Sequence, residues 1–325
     1  MDHEFTVFAG TANPELAIAI ARHLGVSAGA CTIDRFPDGE VAVQLLESVR
    51  RREVFLVQST APPVNDRLIE LLALADACRR AVAARITAVM PYFGYGRADK
   101  RVGRRESIMA RVVADLLQAV GVDHIVTVDL HTPQIEGFFH APVDGLTAVP
   151  TLCQAIRRHL ARDVVVVSPD VGRMRVASRY ARCLGVPVIV LHKQRTGSAE
   201  TELTHVVGQV SDRACLIVDD MISTGSTIAA SVNALLAAGA RPEITIAATH
   251  ALFVEDACNK LSHPAVQDVF VTDTVPACGR EWPKLHVITL APLIAGALQR
   301  VLVDGSPGDL YEQNRKAESG NRGRT

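Results

Sequence analysis

The chain has 325 residues, a net charge of −1, 48% hydrophobic residues and only 4% aromatic residues. A nearly neutral chain creates no overall field that would attract nucleic acid or a membrane surface, so we expect neither as a partner. The length exceeds one typical domain and predicts two domains of roughly 150 residues each. With so few aromatic rings, the core must be built from Ala, Val, Leu and Ile.

Short β-branched runs alternate with longer helical patterns along the whole chain. Runs that are apolar throughout predict strands buried on both faces of a parallel sheet, with the helices covering it. The pattern occurs twice, so we expect an α/β protein with two similar domains, each a mostly parallel sheet flanked by helices. Asn65 is the expected N-cap of one helix, and Gly239 is expected to close another. The ten predicted strands are 5–10, 54–58, 86–91, 124–129, 163–168, 186–191, 215–219, 243–249, 268–273 and 286–290.

The cysteines and the N-terminal segment favour a cytoplasmic location. The seven cysteines are scattered, and none form a C-x-x-C pair, so neither a disulfide framework nor a cysteine metal site is expected. The segment MDHEFTVFAG lacks the basic and apolar leader of a secretory signal. Charged residues or glycine interrupt the longest apolar runs before they reach membrane-spanning length.

A segment near the midpoint, PVDGLTAVP at 142–150, is interpreted as a linker between the two domains. In both halves, polar residues follow the predicted strands. Ligands of open α/β sheets bind at the carboxyl edge of the strands. Six such clusters favour a site over ordinary loops. The clusters are Ser59-Thr60, Asp129-Leu130-His131, Ser168-Pro169-Asp170, Asp219-Asp220, Thr249-His250 and Asp273.

The most informative segment is CLIVDDMISTGST at 215–227. An apolar strand leads to Asp219 and Asp220, and the turn Ser223-Thr224-Gly225-Ser226-Thr227 then opens a helix. A Ser/Thr/Gly turn at a helix N-terminus offers amide groups, hydroxyls and the positive end of the dipole, which suits a phosphomonoester. Two adjacent carboxylates suit sugar hydroxyls better than phosphate. The segment therefore predicts a site for a phosphorylated ribose, with a capped helix after an acidic turn as the simpler alternative.

This segment resembles the phosphoribosyl pyrophosphate motif of phosphoribosyltransferases and ribose-phosphate pyrophosphokinases. Further stretches resemble the second family from about residue 5 to about residue 302, and a simple phosphoribosyltransferase has no counterpart of the first half. These stretches are RFPDGE at 35–40, VQSTAPPVNDRLIELL at 57–72, RITAVMPYFGYGRADKR at 85–101, DLHTPQIEGFF at 129–139, SPDVG at 168–172, ATHALF at 248–253, VTDTVP at 271–276 and APL at 291–293.

The resemblance implies two domains of the phosphoribosyltransferase type. It assigns 1–146 to an ATP-side domain, 147–300 to a ribose-5-phosphate domain and 301–325 to a C-terminal segment whose end we expect to be disordered. It also implies transfer of the β,γ-diphosphoryl group of ATP to the 1-hydroxyl of ribose 5-phosphate, with Mg²⁺ as cofactor and AMP leaving. A homo-oligomer is implied as well, because the family's ATP site is shared between subunits.

The resemblance also implies residue roles. Lys193, His131 and Arg195 match catalytic positions, and His131 and Asp170 match the metal-binding positions. Ribose 5-phosphate is assigned to Arg195, Asp219, Asp220, Ser223, Thr224, Gly225, Ser226 and Thr227. ATP is assigned to Asp38, Gly39, Glu40, Arg97, Ala98 and Asp99.

Three positions depart from the common family pattern. Ala98 stands where glutamine is usual, Gln194 replaces a cation, and Ser223 replaces an acid. Two alternatives to an active pyrophosphokinase remain. One is a catalytically silent regulatory subunit, which the intact His131 and Lys193 disfavour. The other is a phosphoribosyltransferase, for which the sequence offers no base-recognition segment.

Overall fold

The computed structural model describes residues 5–195, 202–276 and 282–303. The predicted C-terminal tail beyond 303 lies outside the described residues. Within the described part of the chain, no helix is long and apolar enough to cross a bilayer.

The first half forms one fully parallel sheet with strand order β1-β4-β5-β6-β7, and a separate antiparallel hairpin of β2 and β3. The strands lie in chain order across the sheet. The elements are β1 (Phe5–Ala9), α1 (Pro14–His23), β2 (Cys31–Arg35), β3 (Val41–Leu45), β4 (Glu53–Val57), α2 (Val64–Arg80), β5 (Arg85–Met90), α3 (Met109–Ala119), β6 (His124–Val128), a 3-10 helix (Pro133–Phe138) and β7 (Val143–Leu146).

The second half forms a seven-stranded sheet with order β10-β9-β8-β11-β12-β13-β14, parallel except for the edge strand β10. The elements are α4 (Val149–Ile156), β8 (Val165–Ser168), a 3-10 helix (Val171–Arg173), α5 (Met174–Leu184), β9 (Val188–Arg195), β10 (Glu202–Val207), β11 (Cys215–Ile222), α6 (Ser226–Ala237), β12 (Ile244–Ala251), α7 (Ala257–Leu261), β13 (Val266–Thr272), β14 (Leu285–Ile288) and α8 (Ala291–Leu302).

All ten predicted strands are confirmed within a few residues, and three details of the prediction are wrong. The expected linker at 142–150 contains β7, whose Leu146 is buried and whose backbone pairs with β6, and it runs into α4. Asn65 is not an N-cap, because α2 begins at Val64, and the Asn65 side chain instead accepts a hydrogen bond from the Tyr95 hydroxyl. The strand expected to end at residue 219 continues to Ile222, so the acidic pair lies within β11. Gly239 does follow α6 in the left-handed conformation that glycine favours.

The last described helix returns to the first half of the chain. α8 packs against α1, and apolar side chains such as Leu16 and Leu298 share one core with residues of both sheets. The segments 1–146 and 147–300, which we propose as the two domains, therefore share one packed core.

Glu70 on α2 holds the β2–β3 hairpin in place. Its carboxylate is almost fully buried and accepts hydrogen bonds from Arg35 of β2 at 3.1 Å, from Arg67 at 3.0 Å and from Gln58 at 2.8 Å. The cost of burying this carboxylate is well compensated by so many charged and polar partners. Removing the carboxylate would leave those partners buried without a hydrogen-bond acceptor. Glu70 therefore adds a buried polar anchor to the apolar packing of the hairpin against the core.

We predict that Glu70→Ala lowers the free energy of unfolding by about 3 kcal/mol, the usual cost of breaking a buried ion pair from one side. Urea denaturation followed by circular dichroism measures the change. Asp76→Ala, on the same helix, breaks an exposed pair with Arg80 and serves as the control with no measurable change expected. A similar loss in both variants would show that Glu70 has no special role.

Candidate active site

The order of the strands in the second sheet creates a crevice beside β11. Successive connections lead from β8 to β9 on one side and from β11 to β12 on the other, which makes the gap between β8 and β11 a topological switch point. β8 pairs with β11 only as far as Ile217, whereas β12 follows β11 to Ile222. One edge of β11 is therefore free of strand pairing where Asp219 and Asp220 lie.

A cavity of about 250 Å³ opens at this point. It brings together predicted residues of β11, of the segments that follow β5, β6 and β8, and of the turn before α6. Four further lining residues were not assigned to the site from the sequence: Arg173, Met221, Ile222 and Ile228. The lining residues are Arg97, His131, Asp170, Arg173, Asp219, Asp220, Met221, Ile222, Ser223, Thr224, Gly225, Ser226, Thr227 and Ile228.

The acidic pair is buried, with Asp219 at 8% and Asp220 at 3% exposure. Burial and the neighbouring charge of Asp220 raise the pKa of Asp219 well above its ordinary value. Burial also acts to raise the pKa of Asp220, but hydrogen bonds from His131 and Asp219 and the charge of Arg173 outweigh it, so the pKa of Asp220 is lowered. Asp220 therefore carries the stable negative charge of the pair.

Arg173 and His131 surround this charge. His131 Nδ1 lies 2.7 Å from Asp220 Oδ2, and the Arg173 guanidinium lies 3.3 Å from Asp219 and 3.4 Å from Asp220. One guanidinium nitrogen of Arg173 is 3.0 Å from Nδ1 and 2.9 Å from Nε2 of His131, so this nitrogen is close to both ring nitrogens. Arg173 also donates to the His131 carbonyl oxygen at 3.2 Å. Arg173 could have been found in the sequence as a cation three residues after Asp170, within the polar rim.

The predicted phosphate turn has the geometry of an anion site. Gly225 is the N-cap of α6 with φ of 73°, and a side chain there would come within 3.2 Å of the Ala257 carbonyl oxygen, so the turn needs glycine. Among the described residues, no side chain caps the α6 N-terminus. Lys260, which the sequence did not single out, donates to Ser226 Oγ at 3.0 Å and adds positive charge beside the turn.

Other predicted residues lie at the rim or away from the cavity. Arg97 lines it and is exposed, Asp99 accepts a hydrogen bond from Thr132 at 2.7 Å, and Ala98 is held through its backbone. Asp38, Gly39 and Glu40 are exposed at the tip of the β2–β3 hairpin and do not line the cavity. Lys193 and Arg195 belong to β9, and their side chains lie outside what the structure describes.

Three of the six predicted edge clusters, Ser59-Thr60, Thr249-His250 and Asp273, do not line the cavity. Contacts of these clusters join the two halves of the chain. Ser59 donates to the Thr274 carbonyl oxygen, and Thr249 donates to the Asp129 carboxylate at 2.7 Å. His250 is buried between Thr274 and the Asp129 carbonyl oxygen, and burial lowers its pKa. These contacts fix the carboxyl edges of the sheets face to face, which places His131 of the first half against Asp220 of the second.

Comparison with known proteins decides between the families that share such a phosphate turn. The N-terminal domain of ribose phosphate pyrophosphokinase matches residues 5–121, and the phosphoribosyl synthetase-associated domain matches residues 196–312. The ribose-phosphate pyrophosphokinase of Chromobacterium violaceum is 44% identical over 310 residues, 94% of each chain. That of Gloeobacter violaceus is 43% identical over 312 residues, 95% of this chain and 94% of the relative.

The chain belongs to the ribose-phosphate pyrophosphokinase family. The crystal structure of phosphoribosylpyrophosphate synthetase from Mycobacterium smegmatis superposes with a TM-score of 0.88 at 44% identity, covering 93% of this chain and 99% of that one. The predicted family and the predicted fold class, two α/β domains of the phosphoribosyltransferase type, are confirmed. Proteins of the ribose-phosphate pyrophosphokinase family use ATP and ribose 5-phosphate, and none of the relatives favours a silent regulatory subunit.

We predict opposite stability effects for two neighbouring substitutions. The raised pKa of Asp219 means that its ionisation destabilises the fold above the ordinary carboxyl pKa of about 4. Asp219→Asn removes this charge and keeps the oxygen that accepts the Asp220 amide, so the melting temperature at pH 8 should rise, by about 2 °C per kcal/mol. Asp220 has a lowered pKa and stabilises the fold above about pH 4, so Asp220→Asn should lower the melting temperature.

Calorimetry of the ligand-free protein at several pH values measures both effects. The gain from Asp219→Asn should vanish as the pH falls to about 4, whereas the loss from Asp220→Asn should persist to about pH 4 and fade below it. Changes of the same sign in the two variants would contradict the assigned charge states.

Proposed function

We propose that this chain transfers the β,γ-diphosphoryl group of ATP to the 1-hydroxyl of ribose 5-phosphate, giving 5-phosphoribosyl 1-pyrophosphate and AMP for nucleotide biosynthesis. The sugar oxygen attacks the β-phosphorus, and the bond from that phosphorus to the oxygen of the α-phosphate breaks. The observation that carries the proposal is the placement of a buried acidic pair beside an uncapped helix N-terminus in one crevice. The names of the relatives support the same activity.

The two ends of ribose 5-phosphate require different partners, and the cavity offers both. The amides of the first turn of α6, the hydroxyls of Ser223–Thr227 and the Lys260 ammonium would hold the 5-phosphate. Asp220 is ionised and would accept hydrogen bonds from the ribose hydroxyls, with Asp219 beside it. With the sugar held at both ends, its reactive hydroxyl is positioned before ATP is attacked.

The positively charged side chains have a separate task. Arg97 and Arg173 line the cavity, and Lys193 and Arg195 are assigned to the same reaction by the family resemblance. Negative charge spreads over the transferring group in the transition state, and fixed cations stabilise it there. The exposed Arg97 suits the polyphosphate, because Arg173 is already engaged with the acidic pair.

The donor set of the cavity fits Mg²⁺. Mg²⁺ takes oxygen ligands, and three carboxylates, those of Asp170, Asp219 and Asp220, line the cavity. Asp170 and His131 are the ligands that the family resemblance implies, and the three carboxylates add a hard-oxygen environment around them. When bound, the ion would neutralise charge on the phosphate oxygens. His131 Nδ1 lies 2.7 Å from Asp220 and an Arg173 nitrogen lies 2.9 Å from Nε2, so the guanidinium would have to move for His131 to bind an ion through Nε2.

We also propose a cytoplasmic homo-oligomer in which the hairpin tip completes the ATP site of a neighbouring subunit. Asp38, Gly39 and Glu40 are exposed, and Phe36 beside them is 56% exposed. The tip does not line the cavity of its own chain, and Arg35 at the base of the tip donates to Glu70 of α2. An exposed tip with an apolar residue suits contact with a second copy.

Incubation of the purified protein with ATP, Mg²⁺ and ribose 5-phosphate tests the reaction. AMP and 5-phosphoribosyl 1-pyrophosphate should appear in equal amounts. Lys193→Ala should lower turnover by two orders of magnitude or more with an unchanged melting temperature, because it removes charge stabilisation of the transition state. Lys316→Ala removes the same charge from the C-terminal tail and serves as the control. Folded wild-type protein that forms no AMP above a blank would indicate the silent regulatory subunit.

A mixing experiment tests the shared ATP site. Asp38→Ala and Lys193→Ala chains should each have little activity alone, but their co-expression should restore part of the wild-type rate, since mixed oligomers contain some sites with both residues intact. Co-expression of Asp220→Ala with Lys193→Ala is the control, because both residues belong to one chain's cavity and loop. The control mixture should show no recovery. No recovery in the Asp38→Ala mixture either would mean that the tip serves only its own chain, and full activity of Asp38→Ala alone would place the tip outside the ATP site.

A further inference from the structure

Three potential metal ligands meet at the end of the second sheet opposite the catalytic crevice. Asp268 lies near the start of β13, His286 near the start of β14, and His159 follows α4. Phe270 and His286 are register partners, and Asp268 precedes Phe270 by two residues, so all three point to the sheet face that α4 covers. The crevice, in contrast, lies at the carboxyl ends of the strands. The function proposed above makes no use of the three residues.

The donor atoms are close enough for one ion. Asp268 lies between the imidazoles, with Oδ1 2.6 Å from His286 Nε2 and Oδ2 3.5 Å from His159 Nδ1. The three donor atoms all lie within 4.8 Å of one another. Ligand atoms around a tetrahedral ion with bonds of about 2.1 Å are separated by about 3.4 Å. Small side-chain rotations therefore bring the trio into a coordination sphere.

Packing on Phe270 holds both imidazoles near that arrangement. His286 stacks on the Phe270 ring, with centroids 4.5 Å apart and planes 14° apart. His159 meets the same ring edge-on, with centroids 5.0 Å apart and planes 73° apart. The two imidazoles are 5.2 Å from each other. Ligands whose ring orientations are set by packing lose little freedom when an ion binds.

The site is open to solvent on one side. The side chains of His159, His286 and Asp268 are 40%, 32% and 24% exposed. A cavity of about 290 Å³ lined by His159 and Asp268 adjoins the trio and leaves room for water or a small anion as a fourth ligand. Three protein ligands with an open position are typical of an exchangeable or reactive metal site, whereas structural zinc sites are closed by four protein ligands.

We propose that His159, Asp268 and His286 bind a borderline divalent transition-metal ion, for which Zn²⁺ is the probe. Two imidazoles and one carboxylate favour zinc, cobalt, nickel or copper over Mg²⁺, which prefers oxygen ligands. The site is thus chemically distinct from the magnesium chemistry of the transfer reaction. It binds an ion at the amino ends of β13 and β14, remote from the sugar and the nucleotide.

Zinc binding by the full chain, freed of metal and without a histidine tag, tests the proposal. In excess Mg²⁺, the protein should bind one equivalent of Zn²⁺ in a calorimetric titration. His159→Ala and His286→Ala should each weaken binding tenfold or more, a loss of about 1.4 kcal/mol per factor of ten. His23→Ala removes an exposed histidine elsewhere and should leave binding unchanged. Substitution with Co²⁺ should give a visible spectrum that both triad variants lose.

Two results would overturn the proposal. Zinc binding that the triad variants leave unchanged would place the ion elsewhere, for instance at cysteines. The second result is that the wild-type protein binds no zinc while the triad variants melt at a lower temperature than the wild type. It would mean that Asp268 only links the two histidines by hydrogen bonds. Neither result would affect the transfer reaction, which is assayed with Mg²⁺ alone.

Discussion

The burial of two adjacent carboxylates in β11 is the constraint on which the rest of the site depends. Neither Asp219 nor Asp220 is more than a tenth exposed, and a buried negative charge without partners would be very costly. Arg173 and His131 supply the compensation, one from the turn after β8 and one from the end of β6. The same interactions therefore stabilise the negative charge of the proposed sugar site and connect the first half of the chain to the second.

This dual use explains why neighbouring polar residues have different tasks. Asp129 accepts hydrogen bonds from Thr147, Ala148 and Thr249 and so joins the two sheets, whereas His131, two residues later, lines the cavity. Apolar contacts of Tyr92 with residues of the second half support the same junction. The crevice is thus built on a hydrogen-bonded and packed interface between two sheet edges, which suits a reaction that depends on positioning two substrates.

The sequence predicted the strands and the acidic pair well because their signals are local. Apolar β-branched runs identify buried strands wherever they pair, and the turn at 223–227 is recognised from its own Ser, Thr and Gly residues. The linker at 142–150 was misinterpreted because its Pro and Gly residues suggest a loop, while the pairing of β7 with β6 depends on distant residues. Arg173 was overlooked for the same reason, since only the fold brings it to Asp219, Asp220 and His131.

The central claim is that the crevice beside β11 holds the sugar phosphate in one orientation. A crystal structure of this protein with ribose 5-phosphate tests it directly. We expect the phosphate at the first turn of α6, within hydrogen-bonding distance of the amides of Ser226 and Thr227, and the ribose hydroxyls at Asp220 with its neighbour Asp219. A phosphate bound at Arg97, or a sugar bound with its hydroxyls towards Lys260, would contradict the claim.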